Sequence, residues 1–507
     1  MNRHLFPISI SLLFLLFSSP VFAQATPQTL SYVESSTGLS LQLEAGRTEL
    51  EFADLNADGN PDLISVGDHG NPLINSQEHG IMVWFGDGAG SWTLSQTGEL
   101  GYGGIAVGDV NGDRLLDIGY GIHHNYSGTD LGDQILEVAL GDGTGTSWTP
   151  WDDGLATNGE SWGMFGSDFA DVDHDGDLDL GSIGFGCCSG VHVYLNQKNG
   201  SWVQAFGILS GNSDQEFEFG EVNGDGNPDF AASWEEGTVY LGDGTGNFTP
   251  GDGNLPKNSF GNPSPSLGDV NDDGRDEVAF INKRNGIDVW SWVSAGVWQE
   301  ISGSLPDQGG YSAVRIFDMN RDGHGDILGY GQRWVRIWAG DGMGGWTEIA
   351  AFQLPASPGD YTALRVGGDA DHNGYPDIAI IVDEGSWINS RNKLHFYKEA
   401  SVPSALAIHP VQPRGGETFR AGSVIFLDWL SAVPAGFGVG NVKIEGSLSG
   451  PTGPWRVLAN KLPNNGRYQW RIPPNAPATT NAYLRYTLIT PGGRITAVTP
   501  AAFNIVR

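Results

Sequence analysis

The chain is poor in cysteine, in basic residues and in long apolar runs. Two cysteines in 507 residues, Cys187 and Cys188, exclude a disulfide-stapled scaffold. Being adjacent, they form a vicinal disulfide after export or stand as two thiols in a turn. Twenty-six Lys and Arg against sixty Asp and Glu leave a formal charge of −34. A surface that acidic excludes nucleic acid as a partner, because phosphate binding needs Lys and Arg, and favours cations. Beyond the first residues no apolar run approaches the ~20 needed to cross a bilayer. HExxH is absent. Gly159-Glu-Ser161-Trp-Gly163 matches G-x-S-x-G in form but falls in a loop without the strand-turn-helix context of a nucleophile elbow. GDGMGG from Gly340 lacks the helix of a dinucleotide site. His123-His124 reads as a polar loop pair. No catalytic residue is expected.

What is present begins with Arg3, His4 and the run LFPISISLLFLLF, followed by SSPVFAQA. Small residues at Val21 and Ala23 predict a secretory signal peptide over 1–23, cut near Ala23. The mature chain is expected to be secreted or periplasmic, without a membrane span, and monomeric.

A nine-residue acidic pattern then recurs seven times: DLNADGNPD from 54, DVNGDRLLD from 109, DVDHDGDLD from 171, EVNGDGNPD from 221, DVNDDGRDE from 269, DMNRDGHGD from 318 and DADHNGYPD from 369. The period is near 50 residues. Each unit shows an apolar run into the loop, a second out of it, a third ending in GDGxG, and a fourth opening on an aromatic such as Trp92, Trp202, Phe248 or Trp346. Four short strands with glycine-rich turns per repeat predict the blade of a β-propeller over residues 24–400. The seventh unit stops after KLHFYKEA without a fourth strand. LSYVESSTGL, 30–39, resembles WTLSQTGEL, 92–100. The N-terminal strand is therefore expected to complete the last blade and close the ring, removing the open edges.

Positions 1, 3, 5, 7 and 9 of the acidic pattern alternate, with glycine usual at 6. Oxygens from 1, 3, 5 and 9 and a carbonyl at 7 suit one hard cation, and Ca²⁺ takes six to eight oxygens. Zinc or copper would want His or Cys. An EF-hand would need Glu at position 12, where Ser65 stands, and flanking helices.

With these loops the chain resembles the FG-GAP/VCBS repeat family, the integrin α-like seven-bladed propellers, over residues 30–400. The resemblance implies Ca²⁺, up to seven ions, on one face. The implied ligands are Asp54, Asn56, Asp58, Asn60 and Asp62 in the first loop, and Asp109, Asn111, Asp113 and Asp117 in the second. The third offers Asp171, Asp173, Asp175, Asp177 and Asp179, and the fourth Glu221, Asn223, Asp225, Asn227 and Asp229. The fifth has Asp269, Asn271, Asp273, Arg275 and Glu277, and the sixth Asp318, Asn320, Asp322, His324 and Asp326. The seventh has Asp369, Asp371, Asn373, Tyr375 and Asp377. The second loop departs most, with Arg114 at position 6.

Residues 401–507 lose the repeat. Alternating runs such as SVIFLDWL, NVKIEGSL and AYLRYTLI predict six or seven strands of an Ig-like or fibronectin-III-like sandwich. They hold ten Lys/Arg and three Asp/Glu, a net +7, while residues 24–400 hold fifteen and fifty-seven, a net −42. The basic module docks on the acidic propeller, or on an anionic wall polymer, or is an ordinary solvated surface.

The expected function is binding or adhesion towards an extracellular glycan or protein. The alternatives are a lectin proper and a propeller-type polysaccharide lyase or hydrolase. The connections facing away from the acidic loops carry Tyr102, Trp162, Phe260, Tyr311 and Tyr361 as candidate ligand contacts.

Overall fold

The computed structural model describes residues 28–507 apart from 40–41, 45–47, 68–79, 102, 126–129, 159, 161–162, 185, 188–189, 210–211, 235–236, 257–264, 355–360 and 385–390. The signal-peptide expectation lies outside these residues, as does Cys188. Among the described residues the molecule is all-β, with one 3-10 turn at Asp130–Gly132.

Each repeat folds as an antiparallel sheet in simple sequence order. The first contains Glu51–Ala53, Asp62–Gly67, Gly80–Gly86 and Trp92–Thr97. Its second strand, DLISVG, is buried along its whole length, while in the fourth only Trp92 is buried. A strand covered on both faces needs a near-continuous apolar run, and an outer strand needs alternation. Six further sheets of four or five strands follow the same plan. Repeated four-stranded sheets of this kind are consistent with a β-propeller.

The apolar cores lie between consecutive sheets. Leu63 and Trp84 of the first sheet pack with Ile381 and Phe396 of the last. Ile64 and Val83, on the other face of the first sheet, pack with Ile118 and Tyr120 of the second. Five more cores join the remaining neighbours in the same way.

Tyr32–Glu34 pairs antiparallel with Arg391–Glu399 at the edge of the last sheet, in the register Tyr32↔Glu399, Val33↔Lys398 and Glu34↔Tyr397. The residues just after it contact the first sheet. The Trp92 indole donates to the Ser35 carbonyl at 3.0 Å, and the Trp92 amide donates to Thr37 at 2.9 Å. Trp202 makes the equivalent bonds to the preceding repeat, at the carbonyls of Trp151 (2.8 Å) and Asp153 (2.8 Å). Trp298 and Trp346 likewise donate to Gly251 and Ile301. These four tryptophans are thus fasteners to the neighbouring sheet, and the 35–37 segment receives one; the Trp148 Nε1 has no hydrogen-bond partner and Phe248 has no donor.

Residues 407–506 form nine strands in two sheets. One holds Ala407–Gln412, Val424–Ala432 and Arg467–Arg471, the other six strands from Thr418–Arg420 to Phe503–Val506. Leu427, Trp429, Ile444, Tyr486 and Phe503 are buried between them. The sequence expectation of six or seven strands falls short because Thr418–Arg420 and Gly493–Val498 are too short or too exposed to show an apolar pattern. No helix among the described residues is long and apolar enough to cross a membrane.

Candidate metal centres

Each acidic loop connects the first and second strands of a sheet, so all seven lie at one end of the sheets. The loops share one backbone. Position 6 has a positive φ throughout, from +73° at Arg114 to +111° at Gly323. Position 4 does too: Ala57, Gly112, His174, Gly224, Asp272, Arg321 and His372 all lie between +51° and +81°. The sequence signalled the first through its glycines and concealed the second, because position 4 tolerates Asp, His, Ala and Arg. Arg114 adopts the left-handed turn despite its bulk, and its amide donates to Asp109 at 2.9 Å.

The paired turns aim backbone amides inward at the carboxylates. In the first loop Asp54 accepts from Asp58 and Gly59 at 3.0 Å each, Asn56 accepts from Asp58 at 3.0 Å, and Asp58 accepts from Asn60 at 2.8 Å. Position 9 acts as a strap. Asp62, fully buried, accepts from Leu55 at 2.9 Å and from Gly86 of the third strand at 3.0 Å. Asp117, Asp179, Asp229, Asp326 and Asp377 repeat both bonds. Burial pushes Asp62, Asp229 and Glu277 up to about 8, Asp117, Asp171 and Glu221 to about 7, and Asp54 and Asp318 to about 6. Carboxylates crowded in this way are comfortable only with a proton or a cation beside them.

Two loops gather three carboxylates into one cluster. Single oxygens of Asp171, Asp173 and Asp179 lie within 4.8 Å of one another, as do those of Asp369, Asp371 and Asp377. Asp171 is 1% exposed and its Oδ1 has no hydrogen-bond partner, an orphaned anionic oxygen that suits a cation. The donors are all oxygen, as a hard cation requires. Basic side chains touch several loops: Lys198 pairs with Asp175 and Asp177, Lys398 with Asp371 at 3.2 Å, and Arg275 with Asp273. The Arg275 side chain is thereby turned to its own loop.

The C-terminal residues cover this end of the molecule. Asn465 reaches Asp54 at 3.2 Å, and the Gln469 amide bonds both the N–H and the C=O of Asp109. Val424 donates its N–H to Asp171 at 2.8 Å, Arg420 donates to Asn227 at 2.7 Å, and Arg414 reaches Asp318 at 3.3 Å. Ser431 donates its N–H to Asp369 at 3.2 Å. At the fifth loop the approach is backbone to backbone: a Cβ on Gly274 would fall 2.1 Å from the Gly416 carbonyl carbon. All seven loops are therefore engaged, and the basic module meets the acidic face.

Between the two lies a chamber of about 1170 Å³. Ion pairs line it, Glu51–Arg365 at 2.8 Å and Arg467–Asp428 at 2.8 Å. The Arg467 side chain is 46% accessible, and that surface faces the chamber.

Of the five candidate ligand aromatics, one has a described side chain. Tyr102, Trp162 and Phe260 lie outside the described residues, as does the side chain of Tyr361. The described one is Tyr311. It is 9% exposed and packs edge-on to Trp338 at 5.8 Å, because the following strand turns it into the core between two sheets.

Sequence comparison places the loops in a known repeat. Residues 54–120, 222–280, 269–329 and 318–380 match the FG-GAP-like repeat family. Five of the seven acidic loops fall wholly inside the matched stretches, the fourth does so except for Glu221, and Asp171–Asp179 falls between them. No curated protein sequence matches the chain. Similar solved structures include an Agrocybe aegerita lectin described in terms of specific recognition of non-reducing terminal N-acetylglucosamine, 17% identical over 61% of this chain and 80% of that one, with a TM-score of 0.39. The extracellular domain of the one component system BT4673 of B. thetaiotaomicron is 12% identical, with a TM-score of 0.41; the match covers 94% of this chain and 58% of that one. The WD40 β-propeller domain of Doa1 is 17% identical over 72% of this chain and 96% of that one, with a TM-score of 0.40.

Proposed function

We propose that this is a secreted, calcium-stabilised, seven-bladed β-propeller carrying a C-terminal Ig-like module, and that it acts as a non-catalytic binding or adhesion protein for an extracellular glycan or protein. In this reading the acidic loops hold Ca²⁺ through the residues at positions 1, 3, 5 and 9 and the carbonyl at 7, and the ions stabilise the blades. One observation carries the placement of function: the module's contacts engage every acidic loop, so that face is occupied from within the chain. Recognition then belongs to the opposite end, where antiparallel strand order puts the connections of variable length. The apolar N-terminal run and small-residue cleavage pattern support export.

The test is a glycan array and an extracellular-protein pull-down with the mature chain in Ca²⁺. Specific retention that survives Asp58→Asn supports the reading. Turnover of an acidic polysaccharide would overturn its non-catalytic part.

A further inference from the structure

Loops three and seven differ from the other five in a way that the repeat pattern hides. Both begin Asp-x-Asp-His, as DVDH and DADH, whereas the others carry Asn at position 3. Their third carboxylate, Asp173 or Asp371, is half-buried beside positions 1 and 9. In the remaining loops the third carboxylate is at position 5, and Asp58, Asp113, Asp225, Asp273 and Asp322 are all exposed. The histidines repeat the correspondence. His174 reaches Asn227 of the next loop at 2.9 Å, and His372 reaches Asn60 of the first loop at 3.3 Å.

One strand of the C-terminal module ties these two loops together. Val424–Ala432 offers the Val424 N–H to Asp171 and the Ser431 N–H to Asp369. Seven residues of extended chain span about 23 Å, so the strand runs from one loop to the other as a crossbar. Both attachments are reinforced beside the histidines. Ser423 Oγ meets His174 Nδ1 at 2.6 Å, and Val433 donates its N–H to the His372 carbonyl at 2.8 Å. Asp171 Oδ1, buried and unpartnered, faces the cluster at one end.

We propose that loops three and seven are two tight divalent-cation sites set apart from the other five, and that filling them and holding the Val424–Ala432 crossbar in place are one coupled event. The proposal rests on the reading of the acidic loops as cation sites. A cation fixes the carboxylates of Asp171 and Asp369 in the orientation that accepts the crossbar amides. The crossbar in turn holds those carboxylates for the cation, and such coupling is reciprocal. Affinity in oxygen-ligand loops rises with ligand charge and rigidity; loop three carries the most carboxylates at positions 1, 3, 5, 7 and 9, and in both loops the third carboxylate is half-buried and the first is braced by a crossbar amide.

The full chain, stripped of metal with EDTA, is titrated with Ca²⁺ by calorimetry, and hydrogen–deuterium exchange is followed in peptides spanning 423–426 and 429–433. Two equivalents are expected to bind at least about ten-fold tighter than the rest, and their binding slows exchange in both peptides. Asp173→Asn makes loop three resemble the other five while keeping its Oδ1 acceptor. It should remove one tight equivalent and the protection at 423–426 alone. Asp371→Asn should do the same at 429–433. Equal affinity at all filled loops, two tight equivalents surviving in both variants, or exchange indifferent to Ca²⁺ would each overturn the proposal while leaving calcium binding intact. Absence of binding at millimolar Ca²⁺ would defeat the cation-site reading and this proposal with it.

Discussion

Asp229→Ala isolates the position-9 strap from any role in metal binding. Asp229 is fully buried, and its two oxygens accept the amides of Val222 at 3.0 Å and Gly242 at 2.9 Å, joining the acidic loop to the third strand of its sheet. Truncation leaves two buried N–H groups unsatisfied, each costing roughly 1–3 kcal/mol. Against that, burial and then the neighbouring Glu221 hold the carboxyl up at about 8, so its removal also relieves some electrostatic strain. The net is a loss of about 3 kcal/mol, the larger amide term reduced by the smaller electrostatic one. Asp225→Ala, in the same loop, removes an exposed carboxylate and should cost little without metal. Urea denaturation of both variants, in EDTA and in Ca²⁺, separates the two roles. Asp229→Ala should be destabilised in both conditions, whereas Asp225→Ala should fall behind the parent only in Ca²⁺. If Asp229→Ala matches the parent in EDTA, the strap contributes no stability of its own and the reasoning fails.

Stability of the metal-free chain should fall as pH rises. Folding raises the pKa of Asp62, Asp117 and Asp229 to about 7–8, so the folded state favours their protonated forms; that stabilisation is whole below pH 4 and is lost as pH climbs through 7 to 8. Thermal melts in EDTA at pH 5 and pH 8 check the sign, and Ca²⁺ should abolish the trend; greater metal-free stability at pH 8 would contradict it. Glu137→Gln should cost under about 1 kcal/mol at pH 7, because burial and then the adjacent Asp152 push Glu137 up to about 11 and an amide replaces a carboxyl that is already neutral. A melt showing a large loss would mean that Glu137 works as an anion. Deletion of 24–38 should yield aggregation or a large loss of stability, read by light scattering and calorimetry, since it strips the strand from Arg391–Glu399 and the acceptors from Trp92. Tyr311→Ala should lower stability by about 3 kcal/mol, as for other buried aromatics, measured by denaturation.

The repeated sheets were legible because the units share their punctuation: an acidic loop in all seven, a GDGxG turn in four and an aromatic opening the fourth strand in six. The acidic loops were legible at positions 1, 3, 5 and 9, where oxygen side chains recur. Position 4 was not, because its constraint is a backbone angle that His174, Ala57 and Arg321 satisfy without a shared chemistry. The contact between the basic module and the acidic face was suggested by charge alone, and its particulars were hidden. Two of its attachments are main-chain amides, Val424 and Ser431, which no side-chain pattern can announce. The burial of Tyr311 was not legible, because an aromatic in a connection and an aromatic at the first position of a strand look alike until the strand's facing is known.

The pairing of Tyr32–Glu34 with Arg391–Glu399 has a mechanical meaning. Tension between the two ends of the chain acts on this closure. The two paired segments run antiparallel, so Tyr32, the N-terminal end of one, lies opposite Glu399, the C-terminal end of the other, and such tension opens the ladder from that end, one residue pair after another. Three residues form the ladder, and Trp92 grips the carbonyls just beyond it, so the Trp92 bonds yield only after the ladder has peeled. Pulling by the two termini in a force spectrometer should therefore give a gradual onset, followed by a sharper rupture when the Trp92 attachment fails.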